Sequence, residues 1–142
     1  MSGINDPGAA SVKPFERRFT AEAQDIDELG HVNNAVWVRW IQEVATAHWR
    51  ETADPAHVAA YIWVVTRHEI DYLRPLKLGE TALARTWVPD APRGARFDRL
   101  IAFTGADGKQ LVQARTTWAM IEQATGRPAR VPPEVAAPFR TG

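Results

Sequence analysis

From Phe15 to Ala23, Phe15, Phe19 and Ala21 fall on one side of an alternation whose other side is Glu16, Arg18, Thr20 and Glu22. A period of two is that of a half-buried strand, predicted here over 15–23. Asn33 or Asn34 can then cap a helix on which Trp37, Trp40, Ile41, Val44 and His48 recur at spacings of three and four, with Arg39, Thr46 and Arg50 off that stripe. The pattern predicts one long helix to about Glu51. Its tryptophans are core residues first and pocket wall second, since an aromatic stripe buries more area than any other. After a short loop at Asp54-Pro55, four strand-like stretches follow at about 60–74, 80–89, 93–104 and 109–122. Pro75 and Gly79 mark the first break and Pro92 and Gly94 the second. Ala106-Asp107-Gly108 offers a tight hairpin turn.

One strand, one helix and four strands predict an α+β domain, an antiparallel five-stranded sheet covering the helix's apolar stripe. Its length of 142 residues suits one compact unit, placed at 13–142, behind a loose leader at 1–12 rich in Gly, Ala, Ser and Pro. The Pro-rich stretch Thr125–Gly142 is expected to wrap the surface. No parallel βαβ unit, internal repeat, G-x-G-x-x-G or G-x-x-x-x-G-K occurs, which weakens nucleotide-fold readings.

Lysine plus arginine and aspartate plus glutamate number 17 each, so no broad basic field points to nucleic acid or an anionic membrane. Small-molecule partners are expected instead. With no cysteine, thiol catalysis and thiolate metal sites are excluded, and a reducing cytoplasm fits. No run approaches the roughly 20 apolar residues that span a bilayer.

Candidate chemistry concentrates in Asp25-Ile26-Asp27-Glu28-Leu29-Gly30-His31-Val32-Asn33-Asn34, just before the helix. A carboxylate on Asp27 would sit near the unpaired N–H groups of the first helical turn, which can hold an oxyanion. Carboxylate and donors together suffice for attack on an activated acyl group, with the carboxylate as nucleophile or as base for water. The alternative is that Asp25 or Asp27 only caps the turn. His31 is expected to orient the loop by a hydrogen bond, and Glu43 to be exposed or salt-bridged, with a second catalytic carboxylate held in reserve. His48, His57 and His68 lack metal-ligand spacing, so no metal is expected. The only serines, Ser2 and Ser11, leave a serine hydrolase without a nucleophile.

Asp25-x-Asp27-x-x-Gly30-His31-Val32-Asn33-Asn34 followed by Trp37-x-x-Trp40-x-x-Glu43 resembles the opening of hotdog-fold thioesterases of the 4-hydroxybenzoyl-CoA thioesterase type. Tyr72-Leu73-Arg74-Pro75-Leu76-x-x-Gly79-Glu80 and Thr125-Gly126-Arg127-Pro128-x-Arg130-Val131-Pro132 extend the likeness over about 15–139. The resemblance implies a hotdog fold, with the sheet wrapped around a central helix, and acyl-CoA hydrolysis. It implies Asp27 as the catalytic carboxylate and the Asn34 N–H as donor to the thioester carbonyl. His31 matches a histidine given a catalytic role in the similar plant acyl-carrier-protein thioesterases. Leu29 stands where those enzymes place asparagine, which favours the simpler aspartate arrangement. Gly30, Asn33 and Trp37 are then candidates for the substrate site, and Arg74, Arg127 and Arg130 for the nucleotide end of coenzyme A. A homodimer or homotetramer with the site between subunits is implied, with coenzyme A entering only as part of the substrate and no separate cofactor.

Two rivals follow from the same residues. An enoyl-CoA hydratase or dehydratase would share the fold, but its Asp-x-Asn-Pro-x-His-type run is absent. A non-catalytic acyl-CoA or acyl-carrier-binding module would gain nothing from a carboxylate near an anionic ligand.

Overall fold

The computed structural model describes residues 13–140; the leader expected at 1–12 lies outside them. Strand β1 (Phe15–Thr20) keeps the predicted alternation but stops earlier than the pattern suggested. A single 3₁₀ turn (Ala23–Asp25) follows, and the Asp25 carboxylate accepts the Glu22 N–H at 2.9 Å. Helix α1 (Asn34–Thr52) carries the predicted stripe, with Trp37, Trp40, Ile41, Val44 and His48 all buried.

At Asp54-Pro55, read above as a loop, the chain forms a short helix, α2 (Pro55–Ala60). Asp54 accepts the Ala56 N–H at 2.8 Å, and Pro55 takes a first-turn position where a missing N–H costs nothing. Asp-Pro therefore starts a helix here. Strands β2 (Tyr61–Tyr72), β3 (Thr81–Trp87), β4 (Arg96–Thr104) and β5 (Gln110–Glu122) complete an antiparallel sheet in the order β1-β3-β4-β5-β2. A two-residue strand, β6 (Arg127–Pro128), pairs with the end of β5.

The Pro-rich tail does more than wrap the surface. Its residues Pro133–Arg140 form helix α3, which buries Val135 and Phe139. Proline suits a helix start for the reason given for Pro55.

The sheet curls around α1 because the two present matching apolar faces. Phe19 stacks on Trp40 with ring centroids 5.3 Å apart, and Trp37 meets Phe103 edge-on at 5.1 Å. Fully buried Ile41, Ile101 and Phe103 each contribute roughly 1.5–3 kcal/mol by leaving water. Strand β2, 12 residues long, lies at one sheet edge and exposes Ile62, Val64 and Tyr72.

Candidate active site

The loop before α1 is a small closed turn. Ile26 and Val32 form an isolated bridge, Asp27 N–H donates to the His31 carbonyl at 2.8 Å, and Gly30 N–H donates to the Asp27 carbonyl at 3.0 Å. Gly30 closes it at φ 83°, a left-handed conformation that favours glycine. One carboxylate oxygen of Asp27, Oδ1, accepts the N–H groups of Leu29 (2.9 Å) and His31 (3.2 Å). Oδ2 accepts no hydrogen bond among the described residues. Capping and chemistry are thus compatible alternatives at this aspartate, one oxygen for each.

Asp25 is wholly structural. It is 3 % exposed, and its second oxygen accepts from Arg39 at 3.1 Å. Asn33 N–H donates to the Asp25 carbonyl (2.9 Å), and the Asn33 side chain caps α1 by accepting the Ala35 N–H at 2.8 Å. Val32 N–H donates to Leu76 (2.8 Å), which pins the loop to the segment after β2. The Asn34 N–H, first of the helix, donates to no acceptor among the described residues. It stays available at the positive end of the α1 dipole.

The other predicted residues separate. The His31 imidazole, expected to orient the loop, makes no side-chain hydrogen bond among the described residues; the main-chain N–H of His31 does that work. Glu43 is exposed and 3.8 Å from Arg39, as a surface carboxylate was expected to be. Trp37, named as a candidate for the substrate site, is 2 % exposed and packs on Trp40 and Phe103, so its role within the chain is core. The three arginines do not form one cluster. Arg74 follows β2 near the Asp27 loop, whereas Arg127 and Arg130 lie beyond β5, at the end of the sheet where Glu122 pairs with Tyr61. The 12 residues of β2 put roughly 35 Å between these ends.

A cavity of about 320 Å³ opens away from the Asp27 loop, between the second half of α1, the start of β2, β4 and α3. Trp49, Trp63, Phe97, Trp118 and Phe139 supply its apolar wall; of the two arginines that line it, Arg99 is buried and Arg50 is exposed. Arg99 Nη1 donates to Thr86 Oγ1 at 3.0 Å and lies 2.8 Å from His48 Nδ1. Burial, and then the charge of Arg99, hold the His48 pKa down to about 3. The ring is therefore neutral and Nδ1 accepts. Burial lowers the Arg99 pKa to about 9, so the guanidinium remains cationic at neutral pH.

Arg99 and its cavity were missed at the sequence level. A signal was present: Phe97, Ile101 and Phe103 share the inward row of β4, and Arg99 interrupts it. Among the described residues no group of three or more His, Asp or Glu side chains could hold a metal ion, and no helix is long and apolar enough to cross a membrane.

Comparison with known proteins adds the family context. The profile of the Thioesterase-like superfamily matches residues 21–139. A chloroplastic acyl-[acyl-carrier-protein] hydrolase of Cuphea viscosissima is 37% identical over 75 residues, 52% of this chain but only 18% of that protein's length. Among solved structures, a hypothetical protein of Staphylococcus aureus in complex with CoA superposes with TM-score 0.79 at 18% identity, covering 89% of this chain and 82% of that one. A Thermus thermophilus thioesterase complexed with coenzyme A and zinc superposes at 0.77 and 24% identity, covering 91% and 98%.

Proposed function

This chain belongs to the Thioesterase-like superfamily and is by family a thioester hydrolase; from that premise we propose that it hydrolyses an acyl-CoA to free acid and coenzyme A in the cytoplasm, as an enzyme of the 4-hydroxybenzoyl-CoA thioesterase type. One observation carries the reading. Asp27 is held through Oδ1 with Oδ2 unengaged, on the turn that leads directly into the free Asn34 N–H.

In this reading Asp27 Oδ2 takes a proton from water as the water oxygen attacks the thioester carbon. Direct attack by Oδ2, followed by hydrolysis of the acyl-enzyme, uses the same geometry. Either way negative charge develops on the carbonyl oxygen, where the Asn34 N–H and the helix dipole stabilise it. Collapse breaks the C–S bond: on the general-base route the proton taken from water passes from Asp27 to the leaving thiolate, whereas on the direct route the thiolate leaves as the anhydride forms and takes its proton from solvent, and water then cleaves the anhydride to free acid and regenerates the Asp27 carboxylate. His31 and the Asn34 side chain orient the water, and Gly30 and Asn33 shape the approach.

The long apolar edge of β2 supports a homo-oligomer. Pairing two copies antiparallel along β2 would bring Arg127 and Arg130 of one copy toward the Asp27 loop and Arg74 of the other. The arginines that one chain keeps apart would then flank one coenzyme A site.

The test is thiol release from aromatic, short-chain and long-chain acyl-CoAs by wild type and Asp27→Asn. The expected result is hydrolysis by wild type, with the variant slower by about 10²-fold or more. Undiminished turnover by the variant would remove Asp27 from the mechanism. Tight binding without turnover would favour the acyl-binding module, and hydration of an unsaturated thioester the hydratase.

A further inference from the structure

Arg99 is a buried charge without a counter-ion. It is 3 % exposed, its hydrogen-bonding neighbours His48 and Thr86 are both neutral, and among the described residues its Nε–H has no acceptor. No carboxylate forms an ion pair with it among the described residues. The adjacent Asp98, on the other face of β4, shows how this fold treats a charge it means to silence: Arg93 (3.3 Å), Arg115 (3.1 Å) and Thr117 (2.8 Å) all donate to it. A guanidinium kept in the interior without such a partner carries a large desolvation cost. Arg99 faces an open, mostly aromatic cavity, and the same wall holds a second orphan donor, the buried Trp63 Nε1–H.

Two unsatisfied donors, one of them cationic, in an apolar cavity of about 320 Å³ specify a ligand that is hydrocarbon along its length and anionic at its end. The guanidinium fork matches a carboxylate in shape as well as charge. We propose that this cavity receives the distal end of an acyl group bearing a carboxylate, which Arg99 binds, so that the preferred substrate is an ω-carboxyacyl thioester. The proposal rests on the thioesterase reading above and on its homo-oligomer. Antiparallel pairing along β2 brings the Asp27 loop of a second copy toward Tyr61, Ile62 and Trp63, which line the cavity, so one acyl chain can reach both.

The experiment compares kcat/KM for length-matched pairs, adipoyl-CoA with hexanoyl-CoA and glutaryl-CoA with pentanoyl-CoA, in wild type, Arg99→Met and Arg99→Lys. Wild type should favour the carboxylate member of each pair by about 10²-fold or more, because a site built for a polar group rejects the analogue that lacks it. Arg99→Met should abolish that preference through loss on the carboxylate member alone, and Arg99→Lys should restore part of it. Equal or better turnover of the neutral member by wild type overturns the proposal, as does an equal loss on both members in Arg99→Met. A readout independent of turnover is adipate against hexanoate binding, followed by the fluorescence of Trp49, Trp63 and Trp118. Adipate binding that wild type shows and hexanoate does not match supports Arg99 recognition even where no thioester is cleaved. Hexanoate binding as tightly as adipate counts against it even where thioesters are cleaved.

Discussion

In the proposed reading Asp27 divides its carboxylate between structure and chemistry, and the two halves respond differently to substitution. Asparagine retains an Oδ1 that accepts from Leu29 and His31, so Asp27→Asn should unfold within about 0.5 kcal/mol of wild type while losing turnover. Thermal unfolding beside thiol release checks this; an equal fall in both would mean that the loop, not the base, was lost. Gly30 is sensitive in another way. A Cβ there meets nothing within 4 Å, so the cost of Gly30→Ala is the left-handed backbone alone, about 1 kcal/mol. Gly30→Asn should cost less, because asparagine tolerates that region, and unfolding midpoints for the two variants would rank them. Of the candidate residues, the turn held by Asp27 was legible because a short polar motif keeps its partners within a few positions. Arg99 was not, because its meaning depends on His48 and Thr86, which come from other elements.

At the scale of elements, α1 joins the Asp27 turn to the core, and its cap is the joint. Asn33→Ala removes the bond to the Ala35 N–H and should lower stability by about 1 kcal/mol, measured by denaturant unfolding. Freed from its cap, the first turn would also present Asn34 less rigidly, so kcat should fall with it. Strand β2 is the element most exposed to a partner. Lysine at Ile62 and Val64, both on the exposed row, places charge along the proposed edge; the double variant should sediment as a smaller species than wild type. A wild-type protein already monomeric at micromolar concentration would dismiss the edge pairing. The strand itself was legible from its length and β-branched content, whereas α2 hid behind an Asp-Pro pair that marks a turn and a helix start equally well.

Over the whole molecule, the buried pair His48 and Arg99 makes stability depend on pH. The His48 ring packs on Phe15 and Phe139 and faces the Arg99 cation. Its folded pKa, about 3, lies below the ordinary 6.5, so between those values the unfolded chain binds a proton that the folded one refuses. Stability should therefore fall as pH drops from about 6.5, by about 1.4 kcal/mol per pH unit and about 2 kcal/mol by pH 5. His48→Gln, which can still accept from Arg99, should flatten that slope in urea unfolding between pH 7 and 5. Asp98 acts in a lower window. Burial raises its pKa, but the hydrogen bonds from Thr117 and Arg93, with the charges of Arg93 and Arg115, outweigh it and lower it overall. Its contribution is present above the ordinary 3.8 and is lost as pH falls through the lower folded value. By itself the sequence determined the order of the first strand, the long helix and the four strands after it, the buried stripe of α1, the loop that carries Asp27 and the family motif, because periodicity and short-range hydrogen bonding act over neighbouring residues. Only the tertiary structure decided that Arg74 stands far from Arg127 and Arg130, that residues 133–140 form a helix burying Val135 and Phe139, and that Arg99 faces a cavity without a counter-ion. Those facts depend on strand order and register, which place residues 13 to 51 positions apart in contact and which no local pattern encodes.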